Sequence, residues 1–180
     1  TQMRFRAVIW GNESLALVNE GLQGKQTSRL YRYNPASGEL TLLVERNTTD
    51  AYNDPGFPYT SKNKYGRNVL ETVDNGTKLL MNNVTGASAK GDLPFLAKFD
   101  LNTKQSEIIW RCREGVFEMV TDILDAEKLV LLTRRETQTE VPNYYIKNLV
   151  LRVADRPITQ FTNPYPQLEG ITKEKVSYKR

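Results

Sequence analysis

Ser28-Arg29-Leu30-Tyr31-Arg32-Tyr33, a corner at Asn34-Pro35-Ala36-Ser37-Gly38, and then Glu39-Leu40-Thr41-Leu42-Leu43-Val44 form the stretch on which the fold turns. Two runs rich in β-branched, aromatic and alternating residues flank a cluster that accepts turn dihedrals, the pattern of an antiparallel hairpin. The same outline returns twice. Pro94-Phe95-Leu96-Ala97-Lys98-Phe99 and Ser106-Glu107-Ile108-Ile109-Trp110-Arg111 flank the corner at Asp100, and Asn143 to Leu149 precedes Arg156 to Phe161. The copies recur at spacings of about 50 to 65 residues, the self-similarity that marks a repeated supersecondary unit.

On either side of these hairpins strands are expected at Phe5–Trp10, Ser14–Asn19, Arg29–Tyr33, Leu40–Glu45, Val69–Val73 and Lys78–Asn82, then at Phe95–Asp100, Glu107–Cys112, Glu118–Ile123, Lys128–Arg134, Tyr144–Val150 and Pro157–Phe161. Each hairpin follows another strand pair, so the unit is four antiparallel strands. The expected fold is all-β, a partial β-propeller of about three four-stranded antiparallel blades, because a closed ring usually takes at least about four. A single β-sandwich of many strands satisfies the same periodicity.

Composition excludes more chemistry than it suggests. The chain has 180 residues, one cysteine and no histidine. A Ser-His-Asp triad, a Cys-His dyad and the His-bearing or Cys-rich metal sites all need residues that are absent, so no catalytic residue, metal or cofactor is expected here. Apolar residues make up 39% of the chain, with 6 Phe, 9 Tyr and 2 Trp, enough to build a core. The longest apolar run, Val130-Leu131-Leu132 and its neighbours, is of strand length, and no membrane partner is expected. The net charge of +4 is mild. Basic residues concentrate only at Lys173, Lys175, Lys179 and Arg180, without any nucleic-acid-binding module, so no nucleic-acid partner is expected either. Lone Cys112, in an apolar strand, is expected to be a buried thiol.

Few residues suggest a site. Gly86-Ala87-Ser88-Ala89-Lys90-Gly91-Asp92 superficially resembles a phosphate loop, but Gly follows Lys where a Walker loop needs Gly-Lys-Ser/Thr, which leaves a surface loop. The carboxylate pairs Asp122 with Asp125 and Glu136 with Glu140 read as ordinary strand-end acids. Thr133-Arg134-Arg135-Glu136 carries two guanidinium groups on opposite faces of a strand, and one of them, Arg134 or Arg135, is a candidate to clamp a substrate carboxylate with its planar fork. The bland alternative is neutralisation by Glu136 or solvent. Sequons occur at Asn12, Asn47, Asn75 and Asn83. The irregular stretch from Asn47 to Arg67 carries Tyr52, Phe57, Tyr59 and Tyr65, which suggests packing onto a surface.

Several short stretches, in order through nearly the whole chain, resemble the non-catalytic propeller of prolyl oligopeptidase family serine peptidases, most closely the glutamyl endopeptidase-like branch. They are Trp10 with Ser14 to Glu20, Tyr52-Asn53-Asp54-Pro55-Gly56, Asn63-Lys64-Tyr65-Gly66-Arg67, Gly86-Ala87-Ser88 with Gly91-Asp92-Leu93-Pro94-Phe95-Leu96, Thr133-Arg134-Arg135-Glu136 with Pro142-Asn143-Tyr144, and Asn163-Pro164-Tyr165-Pro166. Ala89 and Thr137 depart from the branch, which is expected to carry proline and serine there. The resemblance implies that residues 1–180 are the C-terminal blades of a propeller, with 173–180 at the exit to an α/β-hydrolase domain absent from this sequence. That domain and a peptide substrate are then the partners, and the role is to gate peptide access to a serine nucleophile. A bacterial periplasmic or extracellular location, or a plastid, is implied in the same way. An incomplete ring also exposes blade faces, so self-association is expected. A freestanding ligand-binding or assembly module, propeller-like or sandwich, is the other reading.

Overall fold

The computed structural model describes residues 3–22, 24–168, 170, 171, 174, 176 and 178. The basic residues Lys173, Lys175, Lys179 and Arg180 lie outside them. The chain divides into two compact units, Thr1–Arg111 and Cys112–Arg180, and among the described residues it contains no α-helix.

The first unit begins with an up-and-down sheet of β1 (Arg4–Asn12), β2 (Leu15–Leu22), β3 (Thr27–Tyr33) and β4 (Leu40–Asn47). Inserted next are β5 (Phe57–Pro58), β6 (Thr60–Lys62), β7 (Asn68–Leu70) and β8 (Thr72–Val73). A second sheet is built on β9 (Lys78–Asn83), β12 (Phe95–Asp100) and β13 (Ser106–Arg111), with the two-residue strands β10 (Ala87–Ser88) and β11 (Gly91–Asp92) forming a small hairpin between them. The second unit is one sheet in sequence order: β14 (Phe117–Asp125), β15 (Val130–Glu136), β16 (Asn143–Asn148) and β17 (Arg156–Pro157). Among the described residues every strand pairing is antiparallel.

Central strands carry consecutive apolar residues because both their faces are covered. Leu15-Ala16-Leu17 of β2, Leu79-Leu80-Met81 of β9 and Phe95-Leu96-Ala97 of β12 are all buried. One core joins the two sheets of the first unit, with Leu15, Leu17 and Leu43 packing against Leu70, Leu79, Met81 and Phe99. Burying each such side chain contributes about 1.5–3 kcal/mol. The edge strand β13 exposes Ile108, as an unpaired flank does.

The sequence repeat is repeated in detail in the backbone. In the corner after β3, Asn34 Oδ1 accepts from Ala36 N at 3.0 Å, Gly38 N donates to Asn34 O at 2.8 Å, and Gly38 has φ +76°. After β12, Asp100 Oδ1 accepts from Asn102 N at 2.8 Å, Lys104 N donates to Asp100 O at 2.9 Å, and Lys104 has φ +61°. After β16, Asn148 Oδ1 accepts from Val150 N at 3.0 Å, Arg152 N donates to Asn148 O at 3.2 Å, and Arg152 has φ +50°. An Asx side chain bonds its own turn and the fifth residue turns left-handed in all three. The β3–β4 pairing slips between Leu30 and Tyr31, and the β12–β13 pairing slips at the matching place, between Leu96 and Ala97. A bulge kept at one position in two copies is a built feature of the unit.

Three expectations change. The strand Val69–Val73 is broken at Glu71: its first half pairs with β6, and its second half shares the flank of β9 with β5. The pairing of β17 stops at Pro157, beyond which Ile158 N reaches Tyr144 O at 2.8 Å and Thr159 Oγ1 continues with side-chain bonds to Asn143 and the Tyr144 amide. The segment after Asn47 is held by its backbone and by charge, with Tyr52, Phe57 and Tyr65 exposed and Tyr59 half-buried. Arg46 Nη2 bonds Asp54 Oδ2 at 2.8 Å, Asn83 Nδ2 donates to Asp54 O at 2.8 Å, and Tyr59 N donates to Leu80 O at 2.7 Å. The segment does pack down on β9 as expected, but three of its four aromatics stay outside the contact, because the obligatory pairing of backbone groups fixes this segment first.

Candidate functional site

The two candidate arginines stand next to each other on β15, so the pleat sends them to opposite faces. Arg134, opposite Met119 and Tyr144, meets Glu136 on its own face, with Nη1–Oε1 and Nη2–Oε2 both at 3.4 Å. These contacts are long for a charge-assisted pair, which ordinarily closes to about 2.7–2.9 Å. Its side chain is 29% exposed.

Arg135 is committed elsewhere. It lies directly opposite Glu118 of β14, and Nη2 contacts Glu118 Oε1 at 3.1 Å and also Asp155. Its guanidinium stacks 4.3 Å from the Tyr145 ring centroid, and Lys147 Nζ sits 2.7 Å from Asp155 and 3.6 Å from Glu118. Glu118 is buried, and its Oε1 also accepts from the buried hydroxyl of Thr133 at 2.7 Å. Two carboxylates, two cations, a hydroxyl and a ring therefore form one network over three adjacent strands and the segment after β16. Nε of Arg135 is buried without a partner among the described residues. The arrangement is a closed charge cluster that ties Asp155 to the sheet, while Arg134 keeps the looser fork.

The pH behaviour of the network follows from Asp155. Burial by itself raises that carboxyl, but hydrogen bonds from Lys147 and Arg135 outweigh it and hold the group below the usual carboxylate range. A depressed folded pKa contributes stability above the unfolded value and loses it as pH falls through the folded value. Amide protection across β16 and β17 is therefore expected to fall as pH drops below about 4, and Asp155→Asn is expected to flatten that dependence. An unchanged acid profile in Asp155→Asn would show that the network does not hold this end of the sheet.

Cys112 is buried, as expected, and burial pushes its thiol up despite the bond that Sγ accepts from Glu118 N at 3.1 Å. Asp125 closes its own turn by accepting from Lys128 N at 2.9 Å, Asp122 Oδ1 accepts from the adjacent Ile123 N, and Glu136 meets Arg134, so three of the four candidate acids are held in local structural bonds. The Gly86–Asp92 stretch is the β10–β11 hairpin, with Ser88 Oγ turned back onto Gly91 O at 2.8 Å. Asn83, one of the four sequon asparagines, is buried with its amide nitrogen in use. Among the described residues no group of three or more His, Cys, Asp or Glu is placed to hold a metal ion. The Glu118–Asp155–Lys147 cluster escaped sequence reasoning because its members are far apart in the chain; the only trace was Thr133-Arg134-Arg135 ending a strand.

No family model matches the chain. It is 34% identical over 192 residues to the probable glutamyl endopeptidase, chloroplastic, of Oryza sativa subsp. japonica, and 33% identical over 193 residues to the protein of that name from Arabidopsis thaliana. Each match takes in 99% of this chain and 20% of the relative. The chain thus spans about a fifth of the length of the curated relatives it matches, a partial and distant relationship to proteins named as endopeptidases.

Proposed function

We propose that this chain is a non-catalytic β-propeller segment of a serine peptidase, and that it gates the approach of peptide to a catalytic domain of the same parent. The observation that carries the reading is likeness over 99% of the chain to proteins named glutamyl endopeptidase, in a sequence without histidine. Three sheets with matching corners support it, because repeated meanders suit blades whose loops face a partner. Arg134 is the residue proposed to meet an acidic side chain of the peptide, since its fork is only loosely engaged by Glu136 while Arg135 is consumed by Glu118 and Asp155.

The test has two arms. The purified chain, given peptides with acidic residues, is expected to show no cleavage that a serine-directed inhibitor abolishes; such cleavage would overturn the reading. In a longer polypeptide that carries this segment and cleaves peptides, Arg134→Gln is expected to lower kcat/KM for acidic substrates about tenfold while sparing neutral ones, the loss of one charge-assisted contact. Equal effects on both substrates would remove Arg134 from recognition.

A further inference from the structure

A cleft of about 500 Å³ opens in the first unit, between the first sheet and the Asp54–Pro58 segment. That size is within the range of small-molecule sites. Its floor is apolar, formed by Ile9, Leu30, Val44 and Met81. Its polar lining is Arg6, Asn19, Ser28, Arg46, Asp54 and Thr48, whose hydroxyl is taken by Gln26 O at 3.1 Å.

Arg46 is used on one side only. Nη2 bonds Asp54 Oδ2 at 2.8 Å, and Asp54 Oδ1 is taken by Gly56 N at 2.9 Å, whereas Nη1 is buried with no acceptor among the described residues. A buried donor of this kind is costly until an acceptor meets it. Asp54 offsets one positive charge and Arg6 adds another, so a single negative charge completes the balance. Asn19 Nδ2 donates to Ser28 Oγ at 3.1 Å and to Arg29 O at 3.3 Å, leaving, among the described residues, the Asn19 carbonyl oxygen to accept and the Ser28 hydroxyl to donate. A simple aliphatic acid has no use for an acceptor, but the last residue of a peptide does: it offers a carboxylate, an amide N–H and a side chain.

We propose that this cleft binds the C-terminal residue of a peptide, with its carboxylate on Arg46 and Arg6, its amide N–H facing Asn19, and an apolar side chain on Leu30, Val44 and Met81. The site does not depend on a peptidase parent, because it needs only the residues of this unit. Titration of the chain with acetyl-Ala-Leu, its C-terminal carboxamide and octanoate, followed by calorimetry or amide chemical shifts, tests it. The free acid is expected to bind at least about tenfold more tightly than the carboxamide, as loss of a charge-assisted bond implies, and more tightly than octanoate. Arg46→Gln is expected to erase the preference for the acid over the amide. Because Arg46→Gln also frees Asp54, Ala7→Trp provides the second variant: it fills the cleft from an exposed strand position and is expected to abolish binding of all three. Equal affinity for acid and amide, octanoate binding as well as the peptide, or undiminished binding by Ala7→Trp would each overturn the proposal.

Discussion

Glu118→Ala is expected to destabilise the sheet of the second unit by about 3–5 kcal/mol, the cost of leaving a buried charge without its partner. The carboxylate is buried and answers Arg135, Lys147 and the Thr133 hydroxyl together. Its removal strands the hydroxyl of Thr133, which has no exposure, and leaves two cations to share Asp155. Glu118→Gln keeps an acceptor for Thr133 and loses only the charge, so a smaller loss, roughly half, is expected. The double variant Glu118→Met with Arg135→Met separates pairing from packing. If the single loss comes from an uncompensated charge, the double variant costs less than Glu118→Ala, because Lys147 and Asp155 still neutralise each other at 2.7 Å. Both Trp10 and Trp110 lie in the first unit, so the second unit carries no indole of its own. Native-state hydrogen exchange of the β15 and β16 amides is the appropriate readout. A loss under about 1 kcal/mol, the value of an exposed pair, would show that Glu118 is solvated in solution.

The all-β architecture was legible because local chemistry carried it. Eleven of the 12 strands expected from alternation and apolar runs have a counterpart, Val69–Val73 as two short pieces, while Pro157–Phe161 meets β17 only at Pro157, and the repeat read from Ser28 to Val44 reappears as a shared corner and a shared bulge. Boundaries failed where a distant partner decides. Glu71 interrupts a strand because Tyr59 O takes its amide at 3.1 Å, and Tyr59 belongs to the segment read as irregular. That segment supplies its own two-residue strand, Phe57–Pro58, beside Met81 and Asn82. No local propensity marks a pairing that short. Of the candidate site, the pleat alone assigned Arg134 and Arg135 to opposite faces, but periodicity does not say which face collects Glu118 and Asp155 from other strands. The one-sided use of Arg46 was likewise invisible, since it rests on a contact with Asp54 across an irregular segment.

Gly86→Ala is expected to cost about 3 kcal/mol or more, at the upper end of what single substitutions do. Gly86 has φ +59°, and an added Cβ would lie 1.9 Å from Leu93 O and 2.3 Å from Leu93 C. Both are backbone atoms, and the Leu93 amide is itself bonded to Gly86 O at 3.0 Å, so the strands must part to make room. Gly86 N also donates to the side chain of buried Asn83 at 2.7 Å, and the same Asn83 holds Asp54 O. Parting the hairpin therefore loosens the anchor of the segment after Asn47 as well. Gly66 supplies the control: its φ is +73°, yet an added Cβ meets nothing within 4 Å. Gly66→Ala then bears only the conformational penalty, about 1 kcal/mol. Urea unfolding followed by the fluorescence of Trp110, which lies opposite Leu96 in the β12–β13 pair, reports this unit. The midpoint for Gly86→Ala is expected to fall about three times as far as that for Gly66→Ala, with unchanged slope. Equal shifts would mean that Leu93 and Pro94 relax freely, and that close packing of backbone on backbone is not what requires glycine at this corner.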